Sequence, residues 1–287
     1  MKSAGREIAG WVRGGVCAVA GVMLLAAAAE ATTIVNDNAT VDVDATTDAG
    51  VYNWAIGGAG GQQDHLTKDW WWYRIGAGPQ LSIDSISAPV VTTPTVDSIQ
   101  IVYSNSDFDL QLRYSLADSA LPGSGQSDLS GSIEIFNHSG SALDFNLYHY
   151  TDVDLSAGLD FIDIVDWSFP AFEIVDLTVS QTFGAEEHYA TEAGFLNGLY
   201  GVGFELGEAA ALLAKVQAGG NLDGTNLAGP DDVAYALQYG FVLNDNLSTT
   251  LGFDNQISIT PIPEPSTAVL AALGVISIFS VRNRRKR

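Results

Sequence analysis

The chain has 287 residues, 47 % of them hydrophobic, and sets 12 Lys and Arg against 34 Asp and Glu for a formal charge of −22. That apolar content excludes a wholly disordered chain, and the excess acid argues against nucleic acid as a partner, because phosphate recognition needs cations. The single cysteine, Cys17, excludes a disulfide framework.

Residues 1–31 read as a secretory signal peptide. Lys2, Arg6 and Arg13 form a cationic start, Gly14 to Ala29 is an apolar run, and Ala29-Glu30-Ala31 fits small-x-small cleavage. Cleavage there leaves Thr32 first and discards Cys17. From Thr32 to Ile262 the only cations are Lys68, Arg74, Arg113 and Lys215. Glu7, Glu30 and Glu264 lie outside this span, so 31 acids remain and the exported part carries −27. Such a charge favours solubility and repels anionic sugars unless a divalent cation bridges them.

Within that span Trp70-Trp71-Trp72-Tyr73-Arg74 comes first. On a strand, Trp70, Trp72 and Arg74 face one way and Trp71 and Tyr73 the other. Two readings stay open: a strand packed on both faces, or a flat aromatic platform on which sugars stack. Strict period-two alternation at 107–116 puts Phe108, Leu110, Leu112, Tyr114 and Leu116 on one face, the pattern of a half-buried strand. Similar runs occur at Ser98–Tyr103, Ser132–Asn137, Leu143–Thr151, Val233–Leu243 and Leu247–Ile259, separated by turn clusters such as Pro122-Gly123-Ser124-Gly125. One helix is predicted over Glu208–Gln217, stopped by Gly219-Gly220, with Leu206, Ala210, Leu213 and Gln217 sharing a face. Asn221–Asp232 reads as a surface loop. The expectation is a mainly β, single-domain fold over 32–261, an antiparallel β-sandwich or jelly roll with one short helix.

Asp152, Asp154, Asp160, Asp163 and Asp166 form the densest acidic cluster, and no Lys or Arg lies between Arg113 and Lys215. Calcium accepts six to eight oxygens in flexible geometry and suits such a loop. The spacing departs from an EF-hand, since Gly158 is one place late and Asp163 stands where a bidentate Glu belongs. A calcium loop on a β-scaffold and a solvated acidic loop both stay open. Asp42, Asp44 and Asp48, and Asn221 with Asp223, Asn226, Asp231 and Asp232, are weaker sets of the same kind. Nucleophile-elbow, phosphate-loop and complete dinucleotide motifs are missing. Gly184-Ala185-Glu186-Glu187-His188 lacks the first ligand of a zinc motif, and His65, His138, His149 and His188 are scattered. No catalytic residue is expected on these grounds.

The C-terminal end is the most specific part of the sequence. Pro263-Glu264-Pro265-Ser266-Thr267 precedes the apolar stretch Ala268–Val281, then Arg282, Arg284, Arg285, Lys286 and Arg287. This is a short transmembrane helix with a stop-transfer cluster that holds the tail in the cytoplasm and everything upstream outside. The order of parts from Ile262 to Arg287 resembles the PEP-CTERM sorting signal of exported bacterial proteins. The resemblance implies recognition of Pro263, Glu264 and Pro265 by an exosortase, and a source that makes exopolysaccharide. Four stretches also look broadly like the ectodomains of other such proteins: Trp70–Arg74, Ser127–Asn137, Tyr150–Leu155 and Gly229–Gln238.

The sequence therefore leads to an exported protein held at the inner membrane until exosortase processing, then placed at the cell surface or in the extracellular matrix. The expected partners are exosortase, the export machinery, the inner membrane and exopolysaccharide. The expected role is non-catalytic and calcium-stabilised. The alternatives are a carbohydrate-binding module and a glycan-active enzyme, the latter needing a cleft with two facing carboxylates.

Overall fold

The computed structural model describes residues 31–58, 61–118, 123–155, 164–171, 174–183, 186–195, 201–224 and 232–261. Period-two patterning runs through almost all of them. The strands are β1 (Thr32–Val35), β2 (Ala39–Asp44), β3 (Gly50–Gly58), β4 (Gly61–Asp64), β5 (Leu66–Ile75), β6 (Leu81–Ser82), β7 (Val90–Thr95), β8 (Ser98–Ser104) and β9 (Phe108–Asp118). They continue with β10 (Gln126–Asn137), β11 (Leu143–Val153), β12 (Ile164–Ala171), β13 (Ile174–Phe183), β14 (Glu186–Phe195), β15 (Gly201–Glu208), β16 (Val233–Leu243) and β17 (Ser248–Pro261). Every strand pairing is antiparallel. One nine-stranded sheet runs β1-β2-β3-β5-β11-β16-β15, with β4 on β3 and β6 on β5; the other runs β12-β13-β14-β17-β10-β9-β8-β7. Seventeen strands in two sheets exceed the eight of a jelly roll, so the architecture is the larger sandwich.

The two sheets are built differently, and their sequences say why. In the eight-stranded sheet, β9 buries Phe108, Leu110, Leu112, Tyr114 and Leu116 and leaves the intervening residues outward. In the nine-stranded sheet the central strands are covered twice. Trp71 and Tyr73 enter the space between the sheets, where Trp71 meets Phe253 and Tyr73 meets Phe108. Trp70 and Trp72 face the other way. The Trp70 indole donates to Ser82 at 2.9 Å and Trp72 lies edge-on to Tyr150. A strand buried on both faces needs a nearly continuous apolar run, and three tryptophans supply it.

Helix α1 (Ala209–Gln217) packs on β11, β15 and β16 and forms that outer cover together with the short 3-10 turn Ile83–Ser85 beside β5. The Glu208 carboxylate caps it by accepting from the backbone N–H of Ala210 and Ala211 at 3.2 and 2.8 Å. Its end is a Schellman turn: Gly219 N–H donates to Val216 O and Gly220 N–H to Lys215 O, with Gly219 at φ +79°. The buried face is Ala209, Leu212 and Val216, not the expected Ala210, Leu213 and Gln217. The helix meets the sheet rotated because Glu208 serves as cap and not as first turn.

One polar group lies at the middle of the sandwich. Asp69 of β5 is 1 % exposed, and its carboxylate Oδ2 is 2.9 Å from His149 Nε2. The same oxygen accepts from Thr151 Oγ1 at 3.0 Å and from Asn255 Nδ2 at 3.2 Å, while Oδ1 accepts from Tyr114 OH at 3.1 Å. His149 and Thr151 belong to Asp69's own sheet, Tyr114 and Asn255 to the opposite one, so one carboxylate joins both layers. Burial next to this carboxylate pushes the Tyr114 phenol well above its ordinary pKa, so Tyr114 stays a donor. The His149 ring in turn lies flat on Trp71, centroids 4.0 Å apart.

A buried charge costs several kcal/mol unless it is paired and hydrogen-bonded. Asp69→Ala strips one acceptor from four buried donors and is expected to cost about 3–5 kcal/mol in denaturant unfolding; a loss under about 1 kcal/mol would show that the cluster holds nothing together. Gly131 gives a steric counterpart, since a Cβ there meets Phe253 Cζ at 2.3 Å and Arg113 O at 2.4 Å. Gly131→Ala is expected to lower stability by about 1–3 kcal/mol, measured the same way.

Candidate functional site

Among the described residues, no layer covers the outer face of the eight-stranded sheet over β8, β9 and β10. Alternation sends their polar residues outward, and the register aligns them in rows. Ser98, Ser115 and Ser130 form one row, Gln100, Arg113 and Ser132 the next, then Val102, Gln111 and Glu134. Small side chains keep the floor low along the first two rows, and Pro94 of the edge strand β7 adds a wall. The result is a cavity of about 400 Å³. A second, of about 310 Å³, continues over Gln111, Glu134, Asp109 and Phe136. Together they form a groove across three strands.

Arg113 stands between the two cavities. Its Nε donates to Gln100 Oε1 at 3.4 Å and its Nη1 lies 3.7 Å from Glu134 Oε2. Hydroxyls, amides and one guanidinium are the groups that hydrogen-bond sugar hydroxyls.

Two carboxylates lie on the same outward face as the first cavity, next to its lining residue Ser130. Asp254 of β17 sits directly across from Ser130, and Asp128 is the next outward residue before Ser130 on β10. They are diagonal neighbours on one face, close enough to interact. Burial, and then the charge of Asp254, lift the Asp128 pKa to about 6. Below about pH 6 Asp128 therefore carries a proton that it can donate, with the Asp254 carboxyl beside it. The sequence reading singled out neither residue as a site. Their 126-residue separation is closed only by the β10–β17 register, and the lone sequence signal was that both fall on the polar side of alternating strands.

The residues singled out in sequence lie elsewhere. Trp70, Trp71, Trp72 and Tyr73 are 0, 0, 2 and 7 % exposed; sugar stacking requires an open ring face, and these rings are covered on both sides of β5. Asp152 and Asp154 stand at the end of β11. Asp152 accepts from Tyr150 OH at 3.2 Å and is 8 % exposed. Asp160 and Asp163 lie outside the described residues, and among the described residues no three His, Cys, Asp or Glu side chains gather as a metal set. The acidic stretch connects β11 in one sheet to β12 at the edge of the other. Among the histidines, His149 serves Asp69, His65 Nδ1 is 3.2 Å from Leu155 O, and His138 lies 3.6 Å from Asp109.

Comparison with solved structures places this architecture. A bacterial glucoamylase complexed with acarbose is similar over 88 % of this chain and 35 % of its own, with a TM-score of 0.50 at 9 % identity. A galactose mutarotase related enzyme from Lactobacillus acidophilus is similar over 82 % of this chain and 99 % of its own, with a TM-score of 0.47 at 9 % identity. A GalM/aldose epimerase homologue from C. elegans is similar over 82 % and 100 %, with a TM-score of 0.44 at 9 % identity. Identities this low show the fold alone. No sequence match is found among curated proteins.

The likeness to the glucoamylase overturns two expectations drawn from sequence, the non-catalytic matrix component and the absence of enzyme activity. The inference rested on missing motifs, and this sandwich is shared with a chain described as a glucoamylase, so a missing nucleophile elbow or phosphate loop carries no weight on it. At the C-terminal end of the chain, 261–286 match the PEP-CTERM protein-sorting motif, which this chain therefore carries; all of the match but Pro261 lies beyond the described residues.

Proposed function

We propose that the chain is an exported carbohydrate-active enzyme that works in the open groove of the eight-stranded sheet. Processing by exosortase at Pro263-Glu264-Pro265 delivers it to the cell surface or extracellular matrix, where exopolysaccharide is the glycan at hand. The observation that carries this reading is the neighbouring pair Asp128 and Asp254, with the Asp128 pKa lifted to about 6, on the face that also holds a serine-lined cavity. Acetal chemistry needs a proton delivered to a departing oxygen and another taken from an attacking or anomeric hydroxyl. Asp128 donates the first and Asp254 accepts the second. Because the two carboxyls are neighbours, the proton then returns between them and the pair is reset. Ser115, Ser130, Ser132 and Gln100 hold the sugar hydroxyls.

The test uses the full-length chain in detergent, assayed for reducing-end release from polysaccharides and for mutarotation of free aldoses. Asp128→Asn and Asp254→Asn are each expected to cut the rate by about 10²–10⁴, and the rate is expected to fall as pH rises through about 6, where Asp128 loses its proton. Unchanged rates in both variants would refute the assignment. Stability moves the same way. A carboxyl whose pKa is raised on folding binds its proton more tightly in the native state, so its contribution is lost as pH rises from about 4 to about 6. Asp128→Asn stays neutral, so it is expected to be more stable than the parent at pH 7 and to flatten the stability profile across that interval.

The calcium loop at Asp152, Asp154, Asp160 and Asp163 belongs to this proposal as a structural clamp on the β11–β12 crossover. Calcium bound only to the folded protein at one hundred times its dissociation constant adds about 2.7 kcal/mol. Thermal unfolding with calcium and with chelator reads this directly, and identical midpoints rule it out.

A further inference from the structure

The second cavity of the groove, about 310 Å³, takes no part in the proton transfer proposed above, yet it holds an aromatic ring open to solvent. Phe136 of β10 lines it and is 37 % exposed, unlike the covered rings of β5. Phe136 stands directly across from Asp109, which stands across from Ser104; the next row is Val102, Gln111 and Glu134. Asp109 and Glu134 are therefore diagonal neighbours beside the ring, and their side chains are 44 and 36 % exposed. The lining is thus one ring, one valine, two carboxylates, one amide and one hydroxyl. Such a mixture suits a small ligand with an apolar face and polar edges.

Charge then selects the ligand. The described charged side chains that β8, β9, β10 and β17 turn outward are Asp109, Asp128, Glu134 and Asp254 against Arg113. Arg113 is itself engaged, by Gln100 at 3.4 Å and Glu134 at 3.7 Å. Asp109 lies 3.6 Å from His138, which carries charge only when protonated. An anionic sugar here would meet four acids and one occupied base. A protonated amine would instead be drawn to the face. It could donate charge-assisted hydrogen bonds to Asp109 and Glu134 together, with the electron-rich face of Phe136 beside it.

We propose that this cavity is a subsite for an amino sugar with a free, protonated amine. The sugar ring lies on Phe136, its amine sits between Asp109 and Glu134, and its hydroxyls meet Ser104 and Gln111, which can both donate and accept. The inference rests on the reading of the groove as a glycan site and names the substrate class, an amine-bearing, cationic polysaccharide. Glu134 lies four residues along β10 from Ser130, about 14 Å at the rise of a strand. One chain of a few sugars therefore reaches from the amine subsite to the serine-lined cavity.

Isothermal titration of the full-length chain in detergent tests it, at fixed ionic strength and a pH that keeps the sugar amine protonated. The probes are the glucosamine dimer of chitosan, the N-acetylglucosamine dimer of chitin, cellobiose and putrescine. The glucosamine dimer is expected to bind at least about tenfold tighter than each of the others. Asp109→Asn combined with Glu134→Gln is expected to abolish that preference. Phe136→Leu, which keeps an apolar side chain and removes the ring, is expected to weaken the glucosamine dimer several-fold at an unchanged unfolding midpoint. The chitin dimer or cellobiose bound as tightly overturns the role of the amine, and putrescine bound as tightly overturns the role of the sugar ring. Parent-like affinity in either variant overturns the site. Failure of this subsite shows in binding, whereas failure of the catalytic pair shows in the rates of Asp128→Asn and Asp254→Asn, so the two are told apart.

Discussion

The sandwich depends on a buried carboxylate. Asp69 receives bonds from His149 and Thr151 in its own sheet and from Tyr114 and Asn255 in the other. Hydrophobic burial alone sets no registry between two sheets, because it is non-directional. Four hydrogen bonds converging on two oxygens do set one, and in a low-dielectric interior each is strengthened while the penalty for a missing partner rises. The stacking of His149 on Trp71, and of Trp71 toward Phe253, carries this registry outward into the aromatic core.

From that fixed middle the two outer faces diverge. The nine-stranded sheet uses apolar residues on both sides of β5, β11 and β16 and is covered by α1 and the 3-10 turn. The eight-stranded sheet keeps an alternating pattern and an open face. A groove forms on the open side because serines leave its floor low between longer side chains. The acidity of the span then acts locally. Asp128 is partly buried and has Asp254 as its diagonal neighbour, and burial first and the Asp254 charge second make it hold its proton to about pH 6. The stability lost at neutral pH is the physical counterpart of a group poised for proton transfer.

What the sequence determined by itself was local. Alternation located β8, β9, β11 and β16 nearly to the residue, Ala-rich composition with Gly219-Gly220 located α1, and the Pro-Glu-Pro tail was legible as a sorting motif because its parts are contiguous. Strand register, sheet membership and burial on the second face are long-range properties. They decided that Trp70–Tyr73 are packing residues, that Ala209, Leu212 and Val216 face inward, and that Asp128 and Asp254 meet. The physical reason is that a strand's pattern records only that one face is apolar. It holds no information about which distant strand pairs with it, and Asp128 and Asp254 are brought together only by such a pairing.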